Sequence, residues 1–118
     1  MRDDEAQAAR ARALIENCRS RGDACLITHP VLFEMEWVLD SLYRAARSDI
    51  VVAVRTLQTT PPFEFEDADL VNRATRAYAK GKGDLSDYLL GEIALARGAR
   101  TTYTFDRALR GAPGFALL

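Results

Sequence analysis

With 118 residues, 48 % of them hydrophobic and 28 % charged, the chain has the composition of one globular domain and not of a disordered or fibrous polypeptide. Sixteen Lys and Arg against 17 Asp and Glu leave a formal net charge of −1, so a hold on nucleic acid would rest on local patches, without a global basic field. The opening Met1-Arg2-Asp3-Asp4-Glu5 has no apolar stretch for a signal peptide, and no run approaches the roughly 18 apolar residues of a membrane span.

Residues 4–20 read as a helix with Ala8, Ala11, Leu14, Ile15 and Cys18 at helical spacing, stopped by Gly22. The continuous apolar run of residues 24–28 has the character of a strand buried on both faces. Pro30 then sits where a first helical residue belongs, with Thr28 or His29 as cap, and the helix behind it carries Val31, Glu34, Trp37, Val38, Leu42 and Ala45. Ser48 caps a third helix with Ile50, Val51, Val54 and Leu57 on one face, which Pro61-Pro62 forbids from continuing. Phe63-Glu64-Phe65-Glu66 alternates as a short edge strand does. Asp67 opens a fourth helix through Leu70, Ala74 and Ala77 to Gly81, and Asp84 a fifth, with Leu85, Leu89, Ile93 and Ala94 inward and Gly98 at its end. Residues 100–105 are β-branched and aromatic, hence a strand, and residues 115–118 form a last short one. Strands alternating with helices throughout imply an α/β fold in three layers, a parallel sheet with helices on both faces, in a single domain over residues 1–118.

In a parallel α/β sheet, catalytic groups gather at the carboxyl ends of the strands. Asp106 follows directly on the strand over residues 101–105. Glu34 lies in the first turns of the helix leaving the strand over residues 24–28, and Asp84 and Asp87 begin a helix whose N-terminus faces the same edge. Four carboxylates from three distant stretches are therefore expected on one rim. Clustered carboxylates repel one another, and a hard cation such as Mg²⁺ or Mn²⁺, which takes oxygen ligands and activates water, is the usual reason to collect them. Singly, each acid has a plainer role: Asp84 with Asp87 is a helix cap and its N3 acid, worth about 1 kcal/mol without metal, and Asp106 caps a following turn. Glu36 reads as an ordinary acid of a helix's opening turns.

Three of these stretches resemble one family. The segment from Pro30 to Leu39 resembles the part of the PIN domain in which a catalytic Glu opens the second helix. Gly83-Asp84-Leu85-Ser86-Asp87 looks like its second acidic motif, and Thr102-Tyr103-Thr104-Phe105-Asp106 is similar to its closing strand. The resemblance covers the chain in order. It implies a PIN-like fold and a metal-dependent ribonuclease of the VapC toxin type, with RNA as substrate, a cognate antitoxin as partner and a homodimer as assembly. Glu34, Asp87 and Asp106 match the catalytic, metal-binding acids, with Asp84 accessory and Mg²⁺ or Mn²⁺ as cofactor. One element has no counterpart: the family's central first strand and its Asp, since Met1-Arg2-Asp3-Asp4 looks like the segment after it. The sequence-based expectation is that codons upstream continue in frame and encode that strand. The alternative is a non-catalytic PIN relic that dimerises and binds antitoxin without turnover.

Other residues have weaker patterns. His29 suits a capping or surface role, and Trp37 core or dimer packing. Lys80, Lys82, Arg107 and Arg110 flank the acidic rim and are candidates for RNA phosphates. Cys18 and Cys25 have no metal-ligand spacing and read as small buried hydrophobes of a cytoplasmic protein.

Overall fold

A computed structural model describes residues 2–118. The chain runs α1 (Arg2–Arg21), β1 (Cys25–Ile27), α2 (His29–Ser41), α3 (Arg47–Gln58), β2 (Phe63–Phe65), α4 (Ala68–Lys80), α5 (Leu85–Ala96), β3 (Thr102–Thr104), a 3₁₀ turn (Arg107–Leu109) and β4 (Phe115–Leu117). Every predicted element is present in its predicted order, and all strand pairing is parallel, as alternating strands and helices require.

The sheet itself is divided. β1 pairs with β2 and β3 with β4, with Ile27 opposite Phe65 and Thr104 opposite Leu117, and no described strand joins the two pairs. One consequence corrects the expectation that the first strand is buried on both faces: Leu26 is 62 % exposed while its neighbour Ile27 is buried. Tyr103 and Phe105 at the β3 end are likewise exposed, because no described residue covers that side of either pair.

The core forms where α2, α3, α4 and α5 meet, around Leu32, Ile50, Val54, Val71, Ala74, Leu85, Leu89 and Leu109. The α3 stripe is placed as its spacing predicts. The phase of α2 differs from the sequence reading: its buried residues are Leu32 and Glu36, whereas Val31, Trp37 and Leu42 face solvent. Trp37 therefore has no core role. α2 is apolar around most of its circumference, so periodicity alone could not choose its inner face. α1 stands away from this core. Of its residues 4–21 only Ile15 and Cys18 are partly covered, so the inward set expected for it is largely unburied. The radius of gyration, 16.1 Å, exceeds the roughly 13.5 Å usual for this length and reflects that projection. Cys18 and Cys25 are half-buried neighbours and not isolated core residues, and Cys18 raises the Cys25 thiol's pKa.

The α4–α5 turn is the part of the fold that positions the acids. Tyr88 Oη accepts hydrogen bonds from the Lys82 and Gly83 N–H groups, both at 3.2 Å. A β-carbon on Gly83 would lie 2.5 Å from Leu109 Cδ2, so this backbone passes too close to the core for any side chain. From α3, the Arg47 guanidinium stacks 4.3 Å over the Tyr78 ring and donates to the Tyr78 and Gly83 carbonyls at 2.9 and 2.7 Å. The residue that opens α5, Asp84, is thus fixed by groups from three helices. No helix among the described residues is long and apolar enough to cross a membrane.

Candidate metal centre

Asp84 and Asp87 occupy the N-cap and N3 positions of α5, and the Asp84 N–H donates to Asp87 Oδ2 at 3.0 Å. That is the local helix-capping role expected of such a pair. The second contribution comes from β3: Asp106 leaves the strand, its N–H donates to Thr104 Oγ1 at 3.0 Å, and its Oδ1 accepts from Ala108 N–H at 2.9 Å. The three acids come near enough to feel one another. Burial above all, and then the charges of Asp84 and Asp106, push the Asp87 carboxyl above its ordinary pKa. Asp87 and Asp106 are thus each oriented through one oxygen, and their other oxygens receive no hydrogen bond from the described residues.

The residue that sequence reasoning missed is Glu36. It is 7 % exposed, and its two oxygens accept hydrogen bonds from the first N–H groups of α5, Leu85 at 2.6 Å and Ser86 at 2.9 Å. It is therefore not an ordinary surface acid: it caps α5 from α2, across a separation of 49 and 50 residues. Burial raises its pKa more than the two bonds lower it, and the Asp84 charge adds to the rise. Glu34, two positions earlier, lies on another side of α2 and is exposed. Asp84 and Asp106 lie near enough to Asp87 to act on its charge, and Glu36 stands behind them at the start of α5. No local pattern could have revealed Glu36, because its partners come from a distant helix.

The chemistry of the donors, carboxylate oxygens with two of them unengaged, suits a hard divalent cation, but the three carboxylates do not all lie within 4.8 Å of one another, so a bound ion would have to draw them in. Lys80, Lys82, Arg107 and Arg110 are all exposed, the first two at the α4–α5 turn and the others beside Asp106.

Comparison with known proteins decides the family. The family model described as PIN domain matches residues 1–114. The chain belongs to the PIN-domain family. Its resemblance in three motifs is therefore one of descent over nearly the whole sequence, and the PIN fold accounts for the α/β order seen here. The chain is also similar to a VapC ribonuclease of Aquifex aeolicus (strain VF5), 24 % identical over 95 residues, covering 80 % of this chain and 70 % of that protein. No solved structure gives a significant match.

Proposed function

We propose that this PIN domain is a metal-dependent endoribonuclease of the VapC toxin type, hydrolysing RNA phosphodiester bonds. The single observation that carries the reading is the PIN-domain match over residues 1–114, and the nearness of Asp84 and Asp106 to Asp87 agrees with it. Mg²⁺ or Mn²⁺ bound there would supply activation of water and stabilisation of charge on the phosphodiester. In this reading Asp87 and Asp106 hold the metal through their unengaged oxygens and Asp84 assists. Glu34 joins the set through the PIN motif it occupies and not through a contact. Glu36 touches no substrate; it holds the end of α5 in place. Lys80, Lys82, Arg107 and Arg110, all exposed, would take RNA phosphates in this reading. Similarity to a protein named VapC ribonuclease supports RNA as the substrate, and the same proposal includes a cognate antitoxin as partner and a cytoplasmic setting.

The test is cleavage of a single-stranded RNA pool with Mn²⁺ or Mg²⁺. Metal-dependent cleavage abolished by EDTA is the expected result. Intact RNA at all metal concentrations, with antitoxin binding retained, would favour the non-catalytic relic.

Dimerisation belongs to the same proposal. Val31, Trp37, Leu42 and Tyr43 are exposed large hydrophobic side chains on and just after α2, available to a partner surface. Light scattering at tens of micromolar is expected to give twice the monomer mass, since a Kd near about 1 μM would be saturated there. A stable monomer would remove this part.

A further inference from the structure

We propose that His29, Glu66 and Asp67 form a second divalent-metal site, one that takes a borderline transition-metal ion such as Zn²⁺, Ni²⁺ or Co²⁺ in preference to Mg²⁺. It is built from different elements than the acidic centre. The parallel register sets Ile27 opposite Phe65, so the carboxyl ends of β1 and β2 lie together, and Glu66 N–H closes the pair by donating to the Ile27 carbonyl at 2.9 Å. His29 opens α2 just beyond β1. Glu66 and Asp67 follow β2. Residues 37 and 38 positions apart thus meet because two short strands end side by side.

The donor atoms come close to the spacing that a bound ion needs. His29 Nδ1 is 3.5 Å from Glu66 Oε1, while the other ring nitrogen, Nε2, is 3.5 Å from Asp67 Oδ2 and 3.2 Å from the Glu66 carbonyl, so an ion would take one of the two nitrogens. One ligand atom from each residue lies within 4.8 Å of the others. Metal–ligand bonds of about 2.0–2.2 Å set neighbouring donors roughly 3–3.5 Å apart, so a small closure completes the site. The Glu66 carboxylate is already aimed, since its Oε1 accepts the His29 N–H at 2.8 Å. Asp67 stands at the N-cap of α4 yet makes no side-chain bond to that helix, which leaves its carboxylate free for another partner.

Charge and exposure point the same way. Two carboxylates face one imidazole, and among the described residues neither is paired with a lysine or arginine. The imidazole is 13 % exposed, whereas the carboxylates are 43 % and 55 % exposed, so the site is floored by the histidine and open on the acid side. Three protein ligands with an open side leave positions for water and an exchangeable ion. Imidazole makes the set suit Zn²⁺, Ni²⁺ or Co²⁺, while an all-oxygen cluster suits Mg²⁺.

The experiment titrates the full chain with Co²⁺ in excess Mg²⁺, which occupies oxygen-only sites, and follows the visible absorption of the bound ion. One Co²⁺ per chain is expected. Affinity should fall more than about 10-fold in His29→Gln and in Asp67→Gly, and stay unchanged in Asp106→Asn. Asp67→Gly guards against misfolding, because Asp67 has a left-handed backbone (φ 48°) that glycine adopts without strain. No Co²⁺ uptake by the unmutated chain would overturn the proposal: the three residues would then be an ion pair and nothing more. Uptake that survives His29→Gln and Asp67→Gly would overturn it as well, and would place the ion elsewhere, with the Cys18 and Cys25 thiols as the first alternative.

Discussion

Replacing Asp87 by asparagine is expected to reduce Mn²⁺-dependent RNA cleavage at least about 100-fold while leaving the fold intact. The amide oxygen can still accept the Asp84 N–H now bonded to Asp87 Oδ2 at 3.0 Å, so the first turn of α5 keeps its cap. What is lost is the charge. The ionised form of Asp87 is disfavoured in the folded protein, by burial first and then by Asp84 and Asp106, which holds its pKa above the usual carboxylate range. Without metal that charge opposes folding, and a cation compensates it. The variant should therefore melt no lower than the unmutated protein in EDTA and should lose the stabilisation that Mn²⁺ confers on the latter. A melting temperature several degrees lower in EDTA would mean that Asp87 serves as a structural cap. Cleavage at the unmutated rate would mean that it holds no metal.

Replacing Glu36 by alanine is expected to cost about 2–4 kcal/mol of stability, read as a shift in the urea midpoint. Two backbone N–H groups at the start of α5, those of Leu85 and Ser86, would lose a charged acceptor in a region shut off from water. Relief of the buried charge offsets part of this, which is why the estimate stays below the sum of two charge-assisted bonds. Glu36→Gln keeps one acceptor and should cost less. It also tests the sign of the charge effect. The folded state holds the Glu36 proton more tightly than the unfolded state, because burial raises the pKa. The folded state then binds more protons between the unfolded and folded pKa values, so this group's contribution to stability falls as pH rises through that window and is regained on acidification. Glu36→Gln should flatten the stability profile just above the ordinary carboxylate range. An unchanged profile, or an alanine variant as stable as its parent, would contradict the capping role.

The acids at element ends were legible because their positions follow from local rules. An Asp that caps a helix and an Asp that ends a strand are fixed by chain direction, and in a parallel fold both face one edge. Glu36 and Glu34 were not separable in this way. The segment from Val31 to Leu39 carries apolar residues on nearly every side, so its phase is set by what α5 and its N-terminus demand, a tertiary condition absent from the segment itself. Arg47 and Tyr88 were unread for a related reason: their partners are backbone groups of a turn, which present no side-chain pattern. His29 was legible only in part. Its place beside a helix start was clear, but its approach to Glu66 and Asp67 depends on the register of β1 with β2, which hydropathy does not determine. The burial of Leu26 was overestimated because a continuous apolar strand is read as covered, and here one side of the β1–β2 pair is open.

The central claim is that Asp84, Asp87 and Asp106 form one cation site. Its most direct measurement is Mn²⁺ bound per chain, followed by electron paramagnetic resonance of the free ion, in the unmutated protein and in Asp106→Asn. Asp106 is exposed and lies beyond β3, on a different element from the α5 acids, so its replacement should not disturb their helix. The account predicts that Asp106→Asn binds one Mn²⁺ fewer per chain, or binds it more than about 10-fold more weakly, with no change in melting temperature in EDTA. Equal Mn²⁺ binding by the two proteins would contradict it.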